Sequence, residues 1–196
     1  MLSKSHFNRR ISKLAFIRRL RVKERINQYK EKLDKITLEI RADLTKYLES
    51  YDYTKDSSSV QVIQLNSEDD FDSIYSGAGF YIILTKKHFE DNICIFSFNE
   101  QTAIYRGHSR YIKKRILSHL SNERYKSQRL SSEPNYKVCL KIEEGVNGIN
   151  IDQKPYKDWG WTVIVHKMRN STILIREQAE LAFDISYGKP CKSREV

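Results

Sequence analysis

Apolar positions in the first fifty residues recur at helical spacing. Val22, Ile26, Tyr29, Leu33, Ile36 and Ile40 follow alternating steps of four and three, with mostly charged residues between them. This heptad-like seam predicts a helix over 3–50. The earlier set Ile11, Leu14 and Ile17 has a different phase, which predicts either a break near Arg18–Arg21 or two helices. The seam suits an amphipathic helix packed on its own domain, and it also suits a coiled-coil homodimer.

Thr54 to Ser59 is the best linker in the chain. Val60–Leu65 reads as a short strand or extended approach. Ser67, with Asp70 in the capping-box position, predicts a short helix after it. From Gly79 the period changes. Phe80–Leu84 is a buried-strand run, and Ile93–Phe98 and Thr102–Tyr105 are two more, joined by a turn at Asn99–Glu100. Ser109 caps a predicted helix to about Ser121, with the stripe Ile112, Ile116, Leu117 and Leu120. Residues 122–158 are polar and punctuated by Lys, Arg and Tyr, a mixture that suits a DNA-facing insertion or an ordinary polar loop. Within them Tyr136–Ile142 alternates like a strand. Trp161–Val165 is a strand, and Thr172–Tyr187 is a helix with Ser171 or Thr172 at its cap, stopped by Gly188 and Pro190. The fold class is α+β.

Charge changes this picture at the N-terminus. The chain carries a formal net charge of +10, and residues 1–36 hold twelve Lys and Arg against Glu24, Glu31 and Asp34. Such asymmetry points to a polyanion, nucleic acid before an anionic membrane. The first residues, rich in Arg and free of acids, also mimic a mitochondrial presequence, but the basic pattern continues into the heptads where a presequence should end. No apolar run approaches the roughly 20 residues that span a bilayer. Cys94, Cys139 and Cys191 are odd in number and lack metal-ligand spacing, which fits a reducing, cytoplasmic setting.

The densest chemistry lies at Tyr105-Arg106-Gly107-His108-Ser109 and the helix after it, which carries Arg115 and His119. Upstream stands Gly79-Phe80-Tyr81, and downstream a helix bears Glu177 and Glu180. Hydrolysing a phosphodiester needs an activated water, stabilised phosphoryl oxygens and help for the leaving oxygen. Arg115 can grip phosphate oxygens bidentately, a phenol can serve once its pKa is lowered, and a carboxylate can hold a divalent ion.

Gly79-Phe80-Tyr81 with Tyr105-Arg106-Gly107, then Arg115 on a helix and Glu180 on a later one, resembles the GIY-YIG nuclease signature over about Gly79–Pro190. The resemblance implies a small central antiparallel sheet flanked by helices over 79–196, preceded by a linker and lead-in over 54–78 and the basic helical arm over 1–53. It implies a metal-dependent endonuclease that cuts DNA to 5′-phosphate and 3′-hydroxyl ends, of restriction or phage-defence type. The alternatives are a structure-specific repair nuclease and an inactive nucleic-acid-binding protein that keeps the fold. By resemblance Tyr81 and Tyr105 flank the water, with their roles as base and orienter interchangeable. Arg115 stabilises the transition state and His119 touches phosphate. Glu180 holds one Mg²⁺ (or Mn²⁺) per active site, with Glu177 as its competitor. Arg106, His108, Arg110 and Lys114 beside the site, and Arg9, Arg10, Arg18 and Arg19 in the arm, are expected to contact DNA.

Overall fold

A computed structural model describes residues 4–194 of the chain, with side chains from Val22 onward. The expected DNA contacts Arg9, Arg10, Arg18 and Arg19, and the apolar set Ile11, Leu14 and Ile17, therefore lie outside the described side chains. The chain divides into two compact units, 1–40 and 41–196.

The backbone of the arm forms one helix, α1 (Lys4–Ser50), so the change of phase near Arg18–Arg21 does not interrupt it. In the first unit the seam residues Val22, Ile26, Tyr29, Leu33 and Ile36 are each at least 50% exposed. The second unit begins with the last ten residues of α1, where Leu48 is buried and Leu44 packs beside it.

The strands of the second unit are β1 (Val60–Leu65), β2 (Gly79–Thr85), β3 (Ser97–Phe98), β4 (Gln101–Ser109) and β5 (Trp161–Lys167). They form an antiparallel sheet in the order β1-β5-β2-β4-β3. The short lead-in helix over Glu68–Ser73 is a 3₁₀ turn, and the Asp70 carboxylate accepts from the N–H groups of Asn66 and Ser67. Helices α2 (Ile112–Leu120), α3 (Asn122–Gln128) and α4 (Ile173–Tyr187) complete the unit.

Alternation along β2 sorts the core. Phe80, Ile82 and Leu84 face α4 and the end of α1, packing with Ala179, Ala182 and Phe183. Tyr81 and Ile83 face the other way, onto Ile112, Ile116 and Leu120 of α2. The sheet is thus covered on both sides, and β2, its central strand, is buried at every residue. Burial on both faces explains why β2 reads as a continuous apolar run rather than as an alternating one.

Three local expectations are corrected. Ile93–Phe98 forms strand only at Ser97–Phe98. Its inner residues Cys94 and Phe96 are buried, while Ile93 and Ile95 are exposed, and the Ile95 N–H donates to the Tyr187 carbonyl (2.8 Å) rather than to a strand. Tyr136–Ile142 is not a strand, because side chains satisfy its backbone: the Cys139 N–H donates to Asn147 Oδ1 (2.7 Å) and the Leu140 N–H to His119 Nδ1 (2.7 Å). Strand β4 continues through Gly107 to Ser109, so the turn comes later than expected. Ser109 Oγ accepts from the Tyr111 N–H (2.9 Å), and the helix starts at Ile112. Thr172 does cap α4, its side chain accepting from the Ile175 N–H.

Candidate functional site

The register of β2 on β4 places Tyr81 opposite Gly107 and Ile83 opposite Tyr105, so both phenols share the face covered by α2. Gly107 is required there. A Cβ at that position would lie 2.5 Å from Tyr81 Oη and 3.0 Å from Tyr105 Cε1. Helix α2 adds His119 and Arg115, one turn apart. Tyr81 Oη lies 2.7 Å from His119 Nε2. The Tyr105 ring stacks 6.1 Å from Tyr81 and sits 4.5 Å from the His119 ring, centroid to centroid.

The hydrogen bonds fix the state of His119. The Leu140 N–H donates to Nδ1, so Nδ1 carries no proton. Burial first, and the Arg115 charge second, hold the imidazole far below its ordinary pKa. The ring is therefore neutral with its proton on Nε2, donating to Tyr81 Oη. Tyr81 itself is 0% exposed. Burial pushes its pKa well up, Tyr105 adds to that, and Arg115 pulls the other way. Burial also works against the Arg115 charge, but proximity to Tyr81 and Tyr105 helps raise its pKa overall. Two phenols, a neutral imidazole and a guanidinium thus meet within electrostatic reach on one face of the sheet.

This cluster is closed over by the segment after α3. Arg115 Nη1 donates to the Val138 carbonyl (2.8 Å), and the Tyr136 ring lies 4.8 Å below the guanidinium. Together with the Leu140 bond to His119, these contacts strap residues 136–140 across the site. Periodicity pointed to a strand here.

Glu180 stands elsewhere. Arg106 pairs with Ile82 in the register and His108 with Phe80, so both project to the α4 face, across the sheet from the phenols. There Arg106 Nη1 donates to Glu180 Oε2 (2.7 Å) and His108 Nδ1 lies 2.9 Å from Oε1. Arg106 also donates from Nε and Nη2 to Asp184 (3.0 and 2.6 Å). Arg106, expected to reach DNA, is instead a buried ion-pair centre whose partner Asp184 was missed. Only an acidic residue one helical turn after Glu180 could have signalled it.

The donor set of Glu180 does not suit a divalent ion serving the phenols, since each carboxylate oxygen already accepts from a basic side chain. Among the described residues no group of three or more His, Cys, Asp or Glu is placed to hold a metal. Glu177 is partly exposed on the same helix, and Arg110 and Lys114 line an open cavity beyond the N-terminus of α2. Among the described residues no helix is long and apolar enough to cross a membrane. No family model, curated protein or solved structure matches the chain.

Proposed function

We propose that the protein acts on nucleic acid as a phosphodiester hydrolase, a GIY-YIG-like endonuclease of restriction or phage-defence type. The observation that carries this reading is the meeting of Tyr81, Tyr105, Arg115 and His119 around the Tyr81–His119 hydrogen bond (2.7 Å). These residues, named from separate parts of the sequence, share one face of β2, β4 and α2.

In the closed arrangement the groups are matched but idle. Arg115 Nη1 donates to the Val138 carbonyl, and Tyr81 is kept protonated by burial. Release of residues 136–140 would free the guanidinium for phosphoryl oxygens, where a planar fork is worth most. It would also rehydrate Tyr81 and so lower its pKa. The Nε2–H of His119 is already aimed at the Tyr81 oxygen and would stabilise a phenolate there. Both Glu180 oxygens are already engaged by Arg106 and His108 on the other face of the sheet.

That engagement favours the second reading, a nucleic-acid-binding protein of the same fold without catalysis. Incubating plasmid, single-stranded and branched DNA with Mg²⁺, Mn²⁺ or EDTA, followed by end mapping, separates the two. Cleavage with 5′-phosphate ends supports the hydrolase. Tight binding with intact substrate under every condition selects the second reading.

A further inference from the structure

At the end of the sheet where β2 begins, a cavity of about 890 Å³ opens between the loop before β2, the start of α2 and the start of α4. Five cations line it, Arg110, Lys113, Lys114, Arg169 and Arg176, and no carboxylate does. Lys113 is bonded to Asp72 and Lys114 to Glu133. The three arginines have no carboxylate partner among the described residues.

Arg176 is the unusual member. It is 7% exposed, yet its charge is unpaired. Nη1 donates to the Ser171 carbonyl (2.5 Å) and to Ser171 Oγ (3.1 Å), which locks the side chain against the loop before α4. Its buried Nε has no partner among the described residues. A guanidinium withdrawn from water without an ion-pair partner is unfavourable, and an anion in the cavity would relieve it. Burial and the nearby Arg110 charge depress its pKa, against a smaller opposing pull from Glu177. The cavity also receives the N-terminal end of the fifteen-residue α4, whose free N–H groups and dipole favour negative charge.

We propose that this cavity is a backbone phosphate site for a polynucleotide, with Arg176 as its buried anchor and Arg110 and Arg169 as its outer grips. The proposal rests on the nucleic-acid reading above and locates the strand relative to the phenols. The cavity reaches Ala78, and Tyr81 stands three residues further along, about 10 Å at 3.4 Å per residue. A strand anchored there would present a neighbouring phosphate to Arg115. A cavity of this size, with cations on three separate segments, exceeds what one free phosphate needs and suits a run of diesters.

The test is fluorescence anisotropy of labelled duplex and single-stranded 20-mers in EDTA, where cleavage is suppressed. The exposed pair R110A/R169A leaves the buried anchor and core untouched. It should bind at least tenfold more weakly, with a salt slope smaller by about 2, near 0.9 for each phosphate no longer neutralised. R176Q, which keeps hydrogen-bonding groups but no charge, should weaken binding similarly without lowering the melting temperature. The control pair K86A/K87A removes equal charge at exposed positions just beyond the opposite end of β2 and should change little. Unchanged affinity and slope in R110A/R169A, or an equal loss in the control pair, would overturn the proposal. So would displacement of the oligonucleotide by micromolar inorganic phosphate, which would mark a small-anion site. Cleavage plays no part in this readout, so an inactive protein that passes it refutes only the hydrolase.

Discussion

His119 is held neutral by position rather than by pH. Leu140 occupies its Nδ1, burial opposes its charge, and its remaining proton is committed to Tyr81. His166 is a second such residue. Its ring nitrogens lie 3.2 Å from the hydroxyls of Tyr47 and Tyr53, and burial lowers its pKa to about 3. In the unfolded chain both imidazoles return to about 6.5, so below that pH the unfolded state takes up protons the folded state refuses. Both shifts are downward, so the stability they confer is complete above about pH 6.5 and is lost as pH falls towards 3. The loss approaches about 1.4 kcal/mol per pH unit for each group. Urea unfolding at pH 7.5 and pH 5 should show it, with a shallower pH dependence in H166Q than in the wild type. Equal slopes in the two proteins would refute this account of His166.

Gly107 makes a residue-scale prediction of a different kind. In G107A the new methyl would meet the Tyr81 hydroxyl at 2.5 Å. Tyr81 must then leave His119, at a cost of about 1–3 kcal/mol by overpacking. Denaturant midpoints measure that cost, and ultraviolet titration should find a tyrosine pKa nearer the ordinary value of about 10. An unperturbed midpoint would contradict the packing described.

At the scale of elements, α4 carries two separable devices. Glu180 and Asp184 neutralise Arg106 on the inner face, while Arg176, one turn earlier, serves the open end. If Glu180 is chiefly the partner of Arg106, E180Q should cost about 1.5–3 kcal/mol, since Arg106 keeps its ion pair with Asp184. If it were chiefly an ion ligand, E180Q would instead abolish metal-dependent activity at unchanged stability. A second element-scale prediction concerns the strap. Y136A removes the ring beneath Arg115 and should raise initial cleavage rates several-fold while lowering the melting temperature. A fall in rate at full substrate saturation would contradict a closing role.

These elements also mark what the sequence reveals. The buried run of β2, the Trp161 strand and the start of α4 near Ser171–Thr172 were legible because local periodicity and cap chemistry decide them. Tyr81, Tyr105, Arg115 and His119 were named from the resemblance of their motifs, and the register of β2 on β4 beneath α2 is what brings them onto one face. Residues 136–140 were not legible, since hydrogen bonds to His119 and Asn147 override their alternation. Nor was the fate of Arg106, since a strand residue beside a glycine gives no hint of which helix carboxylates lie beneath it.

For the whole molecule, charge and apolar pattern in residues 22–40 conflict with self-pairing. Along the exposed seam, Lys23, Arg25, Lys30 and Lys32 flank the apolar positions, and a parallel partner would set like charges against each other. We expect the arm to bind a polyanion, with a homodimer favoured only where salt or nucleic acid screens that repulsion. A chain starting at Arg41, which retains the unit that holds the core, should show a much shallower dependence of DNA affinity on salt. An identical slope with and without the arm would show that its charge takes no part.

The central claim is that Tyr81, Tyr105, Arg115 and His119 form a working phosphodiester site. Its most direct test is end-mapped cleavage of DNA by the wild type, R115A and R115K, purified in parallel and matched by circular dichroism. The account predicts cleavage by the wild type and losses of at least 100-fold in both variants, about 2.7 kcal/mol or more of transition-state stabilisation, because lysine lacks the planar fork. Full cleavage by R115A, or none by any of the three on any substrate, would contradict it.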